Sequence, residues 1–130
     1  LSQYKYEYEY DDEVSVQDFE NILDKCYERF NNKRQELDFI SDTSVYVYLP
    51  EQKMVQLSCK GDGYKIINQS EFDDDKYVSY RVDPKLLYRI LRGPRYAHWN
   101  NAEIGSHIQF ARKPDIYERG LYFCMNYFHV

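Results

Sequence analysis

The side chains best suited to chemistry crowd one short stretch. His98, Trp99, Asn100, Asn101, Glu103 and His107 fall within H-W-N-N-A-E-I-G-S-H. A metal site would draw on His98, Glu103 and His107. Zinc sites on a helix favour histidines one turn apart, at i and i+4. These two stand farther apart, across an expected bend, so no metal and no other cofactor is expected. Acid–base chemistry would pair Glu103 with His98 or His107, whose ordinary pKa ranges suit it. No nucleophile in a recognisable context stands beside them. A small enzyme built on Glu103 is therefore an alternative only, and no catalytic residue is assigned. Recognition is the better reading. Trp99 offers a stacking surface, and Asn100, Asn101 and Glu103 offer directional hydrogen bonds. Such a grouping suits sugars, nucleobases or a partner protein. The plain alternative is a turn, with the Asn side chains capping backbone groups and Trp99 packed over the core.

Arg112, Lys113 and Arg119 could hold an anion or simply solvate the start of a last helix. Asp115, at that start, already answers the helix dipole. Arg112 completes the expected binding set of His98, Trp99, Asn100, Asn101, Glu103 and His107. The E-F-D-D-D-K run at Glu71 to Lys76 lacks the alternating ligands, central glycine and distal glutamate of a calcium loop, and reads as a solvated loop.

Composition narrows the classes further. The net charge is −5, with 17 basic and 22 acidic residues, so a dedicated nucleic-acid module is not expected. No apolar run is long enough to span a membrane. Cys26, Cys59 and Cys124 are far apart and form no C-x-x-C pair. They read as small buried apolar residues in a reducing, cytoplasmic setting. Tyrosine is the outlier, at 15 residues. It suits half-exposed sheet faces, where the ring packs and the hydroxyl stays wet. The chain opens on Leu1, and we expect it to be part of a larger protein whose upstream domain is its partner.

The elements that must position these residues follow from periodicity. Residues 1–13 read as a linker or an edge strand, from the strict alternation Y-K-Y-E-Y-E-Y at Tyr4 to Tyr10. A single domain is expected over 14–130. Ser15 with Asp18 forms a partial capping box. Val16, Phe19, Ile22, Leu23, Cys26 and Phe30 then share a helix face, with an end near Asn31–Asn32 or a turn beyond. Strands follow at Ser44 to Leu49, Lys53 to Lys60 and Tyr64 to Asn68, the last two joined by the turn Gly61-Asp62-Gly63. Tyr77 to Val82 is a further strand. Asp83 caps a short helix with Pro84 at its first position, and Gly93 ends it in a left-handed conformation. A strand is expected over Ile104 to Arg112. A last helix is expected from Pro114–Asp115 over Ile116 to about Phe128, with Gly120 in tight contact with the sheet. The fold class is α+β: an antiparallel sheet of about five strands, an N-terminal helix, short central helices and a C-terminal helix.

Asp83, Leu86, Leu87, Leu91 and Gly93, then Ala102, Gly105 and the Ile108–Phe110 strand, resemble landmarks of the sterol carrier protein superfamily. The resemblance covers roughly residues 15–128. It implies an amino-terminal helix, a five-stranded sheet, an aspartate-led leucine-rich helix ending in glycine, and another strand. Members that carry lipid have an apolar tail and an aliphatic tunnel, whereas H-W-N-N-A-E-I-G-S-H and A-R-K-P-D-I-Y-E-R are polar and charged. The tail is more similar to the carboxy-terminal domain attached to some metallo-β-lactamase-fold hydrolases. Their H-x-H-x-D-H metal run is absent from these residues. The resemblance implies a non-catalytic accessory domain acting through domain–domain or small-ligand contacts, with homo-oligomers as a further option. The alternative is a stand-alone carrier of a small, partly apolar ligand, held between sheet and helices.

Overall fold

The computed structural model describes residues 12–73, 75–93, 108–114 and 118–130. The alternating segment Tyr4 to Tyr10 and the stretch from His98 to His107 lie outside them.

Helix α1 is Val16–Glu36. Ser15 and Asp18 make the full reciprocal capping box, at 3.3 and 2.9 Å. The helix runs past Asn31–Asn32 because its end is built by two devices. Asp38 takes φ 54°, and the Phe39 N–H reaches back to the Arg34 carbonyl at 2.9 Å, a Schellman closure with Asp in the usual glycine place. The buried Arg34 side chain then donates to Asn31 Oδ1 and to the Phe39 carbonyl.

Strands β1 (Ser44–Tyr48), β2 (Lys53–Leu57), β3 (Tyr64–Asn68), β4 (Tyr77–Val82) and β5 (Ile108–Lys113) form one sheet in the order β3-β2-β1-β4-β5. The β1–β2 turn places Glu51 and Gln52 at φ 62° and 61°, the hand that two-residue hairpins need. The Glu51 carboxylate accepts from the Val16 N–H at 2.8 Å, which ties the hairpin to the positive end of α1. Strand β2 stops at Leu57, short of the expected Lys60. There the Ser58 hydroxyl accepts from the Lys60 and Asp62 N–H groups and curls the chain into its turn.

The sheet is mixed, which corrects the expected antiparallel arrangement. Three of its pairings are antiparallel, but β1 and β4 run parallel. Alternation reports which face a residue takes and not which strand it pairs with. Since β4 runs with β3 and sits beyond β1, residues 69–76 must cross back over the sheet. A 3-10 turn, Gln69–Glu71, begins the crossing. Phe72 holds it down, its ring 4.8 Å from those of Tyr46 and Tyr77. The expected solvated loop therefore keeps exposed Asp73 and Asp75 but presses Phe72 onto the sheet's outer face.

The three helices among the described residues cover the other face. Helix α2 is Pro84–Leu91, capped by Asp83, whose carboxylate accepts from the Lys85 N–H at 2.8 Å. Gly93 follows at φ +127°, outside the left-handed helical well and open essentially to glycine. Helix α3 is Arg119–Met125, shorter than expected. After Met125 the backbone switches to tighter i to i−3 bonds, Tyr127 to Cys124 and Phe128 to Met125. The chain then turns so that Val130 N–H donates to the Leu91 carbonyl at 2.7 Å. Strand β5 begins at Ile108 among the described residues and extends to Lys113.

Phe19, Leu23, Phe30, Val47, Leu57, Leu87, Ile90 and Leu121 fill the space between sheet and helices, all essentially inaccessible to solvent. Phe30 meets Phe128 edge-on at 6.2 Å, and Phe19 meets Tyr88 at 5.5 Å. Tyrosine departs from its expected half-exposed role at three places among the described residues, since Tyr46 and Tyr80 are fully buried and Tyr27 is buried too. Gly120 does make a tight contact, but with a loop and not with the sheet. A Cβ there would lie 2.6 Å from the Phe39 ring.

Candidate functional site

Of the expected binding set, only Arg112 is described. His98, Trp99, Asn100, Asn101, Glu103 and His107 lie outside the described residues. Arg112 sits on β5 opposite Val78, on the helix face. It donates to the Tyr122 hydroxyl at 3.1 Å, and its guanidinium lies 5.8 Å from the Phe110 ring centre. Lys113 is the next residue on the strand, so it points to the opposite face. The anion grouping of Arg112, Lys113 and Arg119 is therefore split across the sheet. Arg119 stands over Phe123 at 5.3 Å instead.

Exposed apolar side chains lie on α3 and on two segments that touch it, the α1–β1 connection and β5, here called the corner. The exposed large apolar side chains among the described residues are Leu37, Ile40, Phe110, Phe123 and Tyr127. Leu37 and Ile40 flank Phe39 in the α1–β1 connection, and Phe39 lies against Gly120 of α3. Phe123 and Tyr127 come from α3 and its final turn, one helical turn apart. Phe110 joins from β5, its ring 5.8 Å from Tyr122. Ile40 is 71% exposed and Phe110 47%.

Each exposed ring carries a cation. Arg119 covers Phe123, Lys33 covers Tyr127 at 4.8 Å, and Arg112 approaches Phe110. Such pairs hold the rings without removing them from solvent. Carboxylates stand among these cations, since Lys33 pairs with Glu36 at 3.2 Å and Glu118 adjoins Arg119. The packed face of this helix was read as Tyr117, Leu121, Cys124, Met125 and Phe128, and the other face, which carries Phe123 and Tyr127, was given no role.

A buried clasp sets the corner in place. Glu118, just before α3, accepts one hydroxyl on each carboxylate oxygen, from Ser41 and from Thr43, both at 2.5 Å. Ser41 and Thr43 are buried, and Ser41 Oγ also accepts the Thr43 N–H. This use of Glu118 explains why it makes no side-chain cap on the helix that follows it.

A cleft of about 340 Å³ opens at the end of the sheet, beside this clasp. Its wall carries the hydroxyls of Ser41, Thr43, Ser44 and Ser58 and the charge of Lys60, beside Leu57, Cys59 and Tyr64. Lys60 spans to Asp42 at 2.7 Å across the exposed rim. No group of three or more metal-ligating side chains gathers among the described residues. No described helix is long and apolar enough to cross a membrane. All three cysteines are free and buried, and burial pushes Cys26 and Cys59 up to about 12 and Cys124 to about 11. They are poor nucleophiles in this state. No family model, no curated protein and no solved structure matches the chain.

Proposed function

We propose that this chain is a non-catalytic accessory domain, sterol-carrier-like in kind, that works by contact with another domain of a larger cytoplasmic protein. The contact surface is the corner formed by the end of α1, by α3 and by Phe110. One observation carries the reading: the exposed large apolar side chains of the described residues lie on α3 and the turn after it, on β5, or beside Phe39, which touches α3. Clustered apolar exposure rimmed by charge marks interaction sites on soluble domains. The cations over Phe123 and Tyr127 favour a partner surface that is apolar at its centre and acidic at its rim.

The order helix, four strands, Asp83-capped helix and fifth strand supports the sterol-carrier-like assignment. A metallo-β-lactamase-fold hydrolase domain is the partner that the resemblance of the tail implies. The three buried thiols support a reducing, cytoplasmic setting.

The test is a photo-crosslinking residue placed at Phe123 in the full chain inside cells, with Glu28 on the open face of α1 as control. A discrete adduct is expected at 123 and not at 28, and Ile40→Asp should diminish it. Equal labelling at both positions removes the reading.

A further inference from the structure

The polar cleft at the end of the sheet is a second candidate surface. It opens beyond the last β1–β2 pair, Val45 with Leu57, between residues 41–44 and the β2–β3 turn. Two bonds tie its arms together: the Ser41 N–H donates to the Cys59 carbonyl at 3.2 Å, and Lys60 pairs with Asp42. Every residue that lines it is described, and its volume of about 340 Å³ lies within the roughly 300–1,000 Å³ of small-molecule sites. The polar groups of its wall are held in place and yet not used up. Gln56 Nε2 donates to the Ser44 and Tyr46 hydroxyls at 3.1 and 3.3 Å, which sets the amide and leaves Oε1 as an acceptor. Ser44 Oγ accepts that bond and keeps its own proton to give. Ser58 Oγ accepts the Lys60 and Asp62 N–H groups at 3.0 and 3.2 Å and keeps its proton likewise. Lys65 stands opposite Gln56, and neither it nor Asp62 has an ion-pair partner among the described residues. A Cβ on Gly63, also in the wall, would meet nothing within 4 Å, so bare backbone borders open space there.

We propose that this cleft binds a small neutral polyhydroxyl compound of monosaccharide size. The charges argue for this class. Lys60 and Lys65 are matched by Asp42 and Asp62, so the wall carries no net charge, and an anion would meet two carboxylates. A sugar hydroxyl both donates and accepts, and the wall offers hydroxyl and ammonium donors beside amide and carboxylate acceptors. An acyl chain finds little apolar surface, because Leu57 and Cys59 are buried and Tyr64 is engaged by Tyr27 and Asp24. Groups already fixed by one bond lose little freedom on making another. The Lys60–Asp42 pair is exposed on both sides and weak enough for a ligand to displace. The cleft shares no residue with the proposed contact surface, so each stands or falls alone.

Amide chemical shifts of the full, isotope-labelled chain test the proposal. Glucose, galactose, mannose and inorganic phosphate are titrated separately through the millimolar range. At least one of the sugars should shift the amides of Ser44, Ser58, Gly63 and Lys65 together and saturably, with a millimolar dissociation constant. Asp62→Ala and Lys65→Ala, both at exposed positions, should each weaken that binding several-fold while circular dichroism stays unchanged. Glu28→Ala, on the open face of α1, should leave it as it was. Shifts at these amides with phosphate and with none of the sugars overturn the proposal and make the cleft an anion site. No saturable shift with any of the four also overturns it. So does sugar binding that survives both Asp62→Ala and Lys65→Ala undiminished.

Discussion

The two ends of the sheet are built unequally. At β3 the helix face is sealed. Tyr64 lies 5.9 Å from the Tyr27 ring, and its hydroxyl donates to Asp24 of α1 at 2.6 Å. The adjoining turn is fastened as well, since Tyr27 donates to the Ser58 carbonyl and accepts from the Gly63 N–H. Lys65 then sets an exposed charge within the strand. At β5, Phe110 rests on Tyr80 and Tyr122 yet stays half exposed. The helices over the two ends also differ in length. With 21 residues α1 extends about 31 Å, whereas the seven of α3 extend about 10 Å. Phe110 is 47% exposed, and the exposed Phe123 lies on the short helix whose Tyr122 touches Phe110. The β3 end is fastened to α1, and the β5 end keeps exposed rings.

The strongest way to break that division is to remove what α1 and the carboxyl end share. Phe30 is fully buried and packs against both Tyr27 and Phe128. Phe30→Ala should cost about 3–5 kcal/mol in urea unfolding, the range for truncating a buried ring. Both ends of the sheet should then lose amide protection together. A loss confined to the β5 side would mean that α1 does not govern the β3 end.

The clasp sharpens the contrast. Glu118→Ala leaves the buried Ser41 and Thr43 hydroxyls without their acceptor. A cost of about 1–3 kcal/mol is expected. Faster hydrogen exchange should appear in α3 and the residues around Ser41, with β3 unaffected. Gly120→Ala acts on the same corner from the other side. Its Cβ would meet the Phe39 ring at 2.6 Å, so Phe39 must move. A penalty of about 1–2 kcal/mol is expected from overpacking, read as a lower melting temperature. Unchanged stability in either variant would show the corner to be looser than its contacts imply.

The smallest effect lies at the sealed edge. Tyr64→Phe removes the hydrogen bond to Asp24 and should cost about 1 kcal/mol. Burial, with the Asp24 carboxylate adding to it, raises the Tyr64 hydroxyl to about 12 from an ordinary 10. A raised folded-state pKa stabilises fully below the unfolded value and is lost as pH rises through the folded one. The protein should therefore lose stability between pH 10 and 12, in a window shared with the three buried thiols. In Tyr64→Phe the loss over that window should be shallower. Identical slopes would mean the hydroxyl is not held by Asp24 in solution.

Much of the framework was legible in sequence because its signals are local. Ser15 with Asp18 and Asp83 with Pro84 cap helices through atoms within three residues of each other. The strand centres followed from alternation over a few positions. Boundaries were harder. The end of α1 depends on Arg34 reaching the Phe39 carbonyl and on Asp38 adopting a conformation more common for glycine. Gly120 was read as a close contact, but its partner, Phe39, is distant in sequence and could not be read from periodicity. Of the expected site, Arg112 was placed on a strand as anticipated. Its separation from Lys113 followed from the register, while its partner Tyr122 did not.

The chain by itself determined which segments are helix and strand and which of their sides are apolar, because propensity, caps and alternation act between near neighbours. Only the tertiary structure decided that β4 lies parallel to β1 and that Phe72 pins the crossing. It alone decided that Phe110 and Phe123 stay exposed. Pairing partners, and the reach of one element over another, are set by contacts between residues far apart in sequence, and no local pattern carries them.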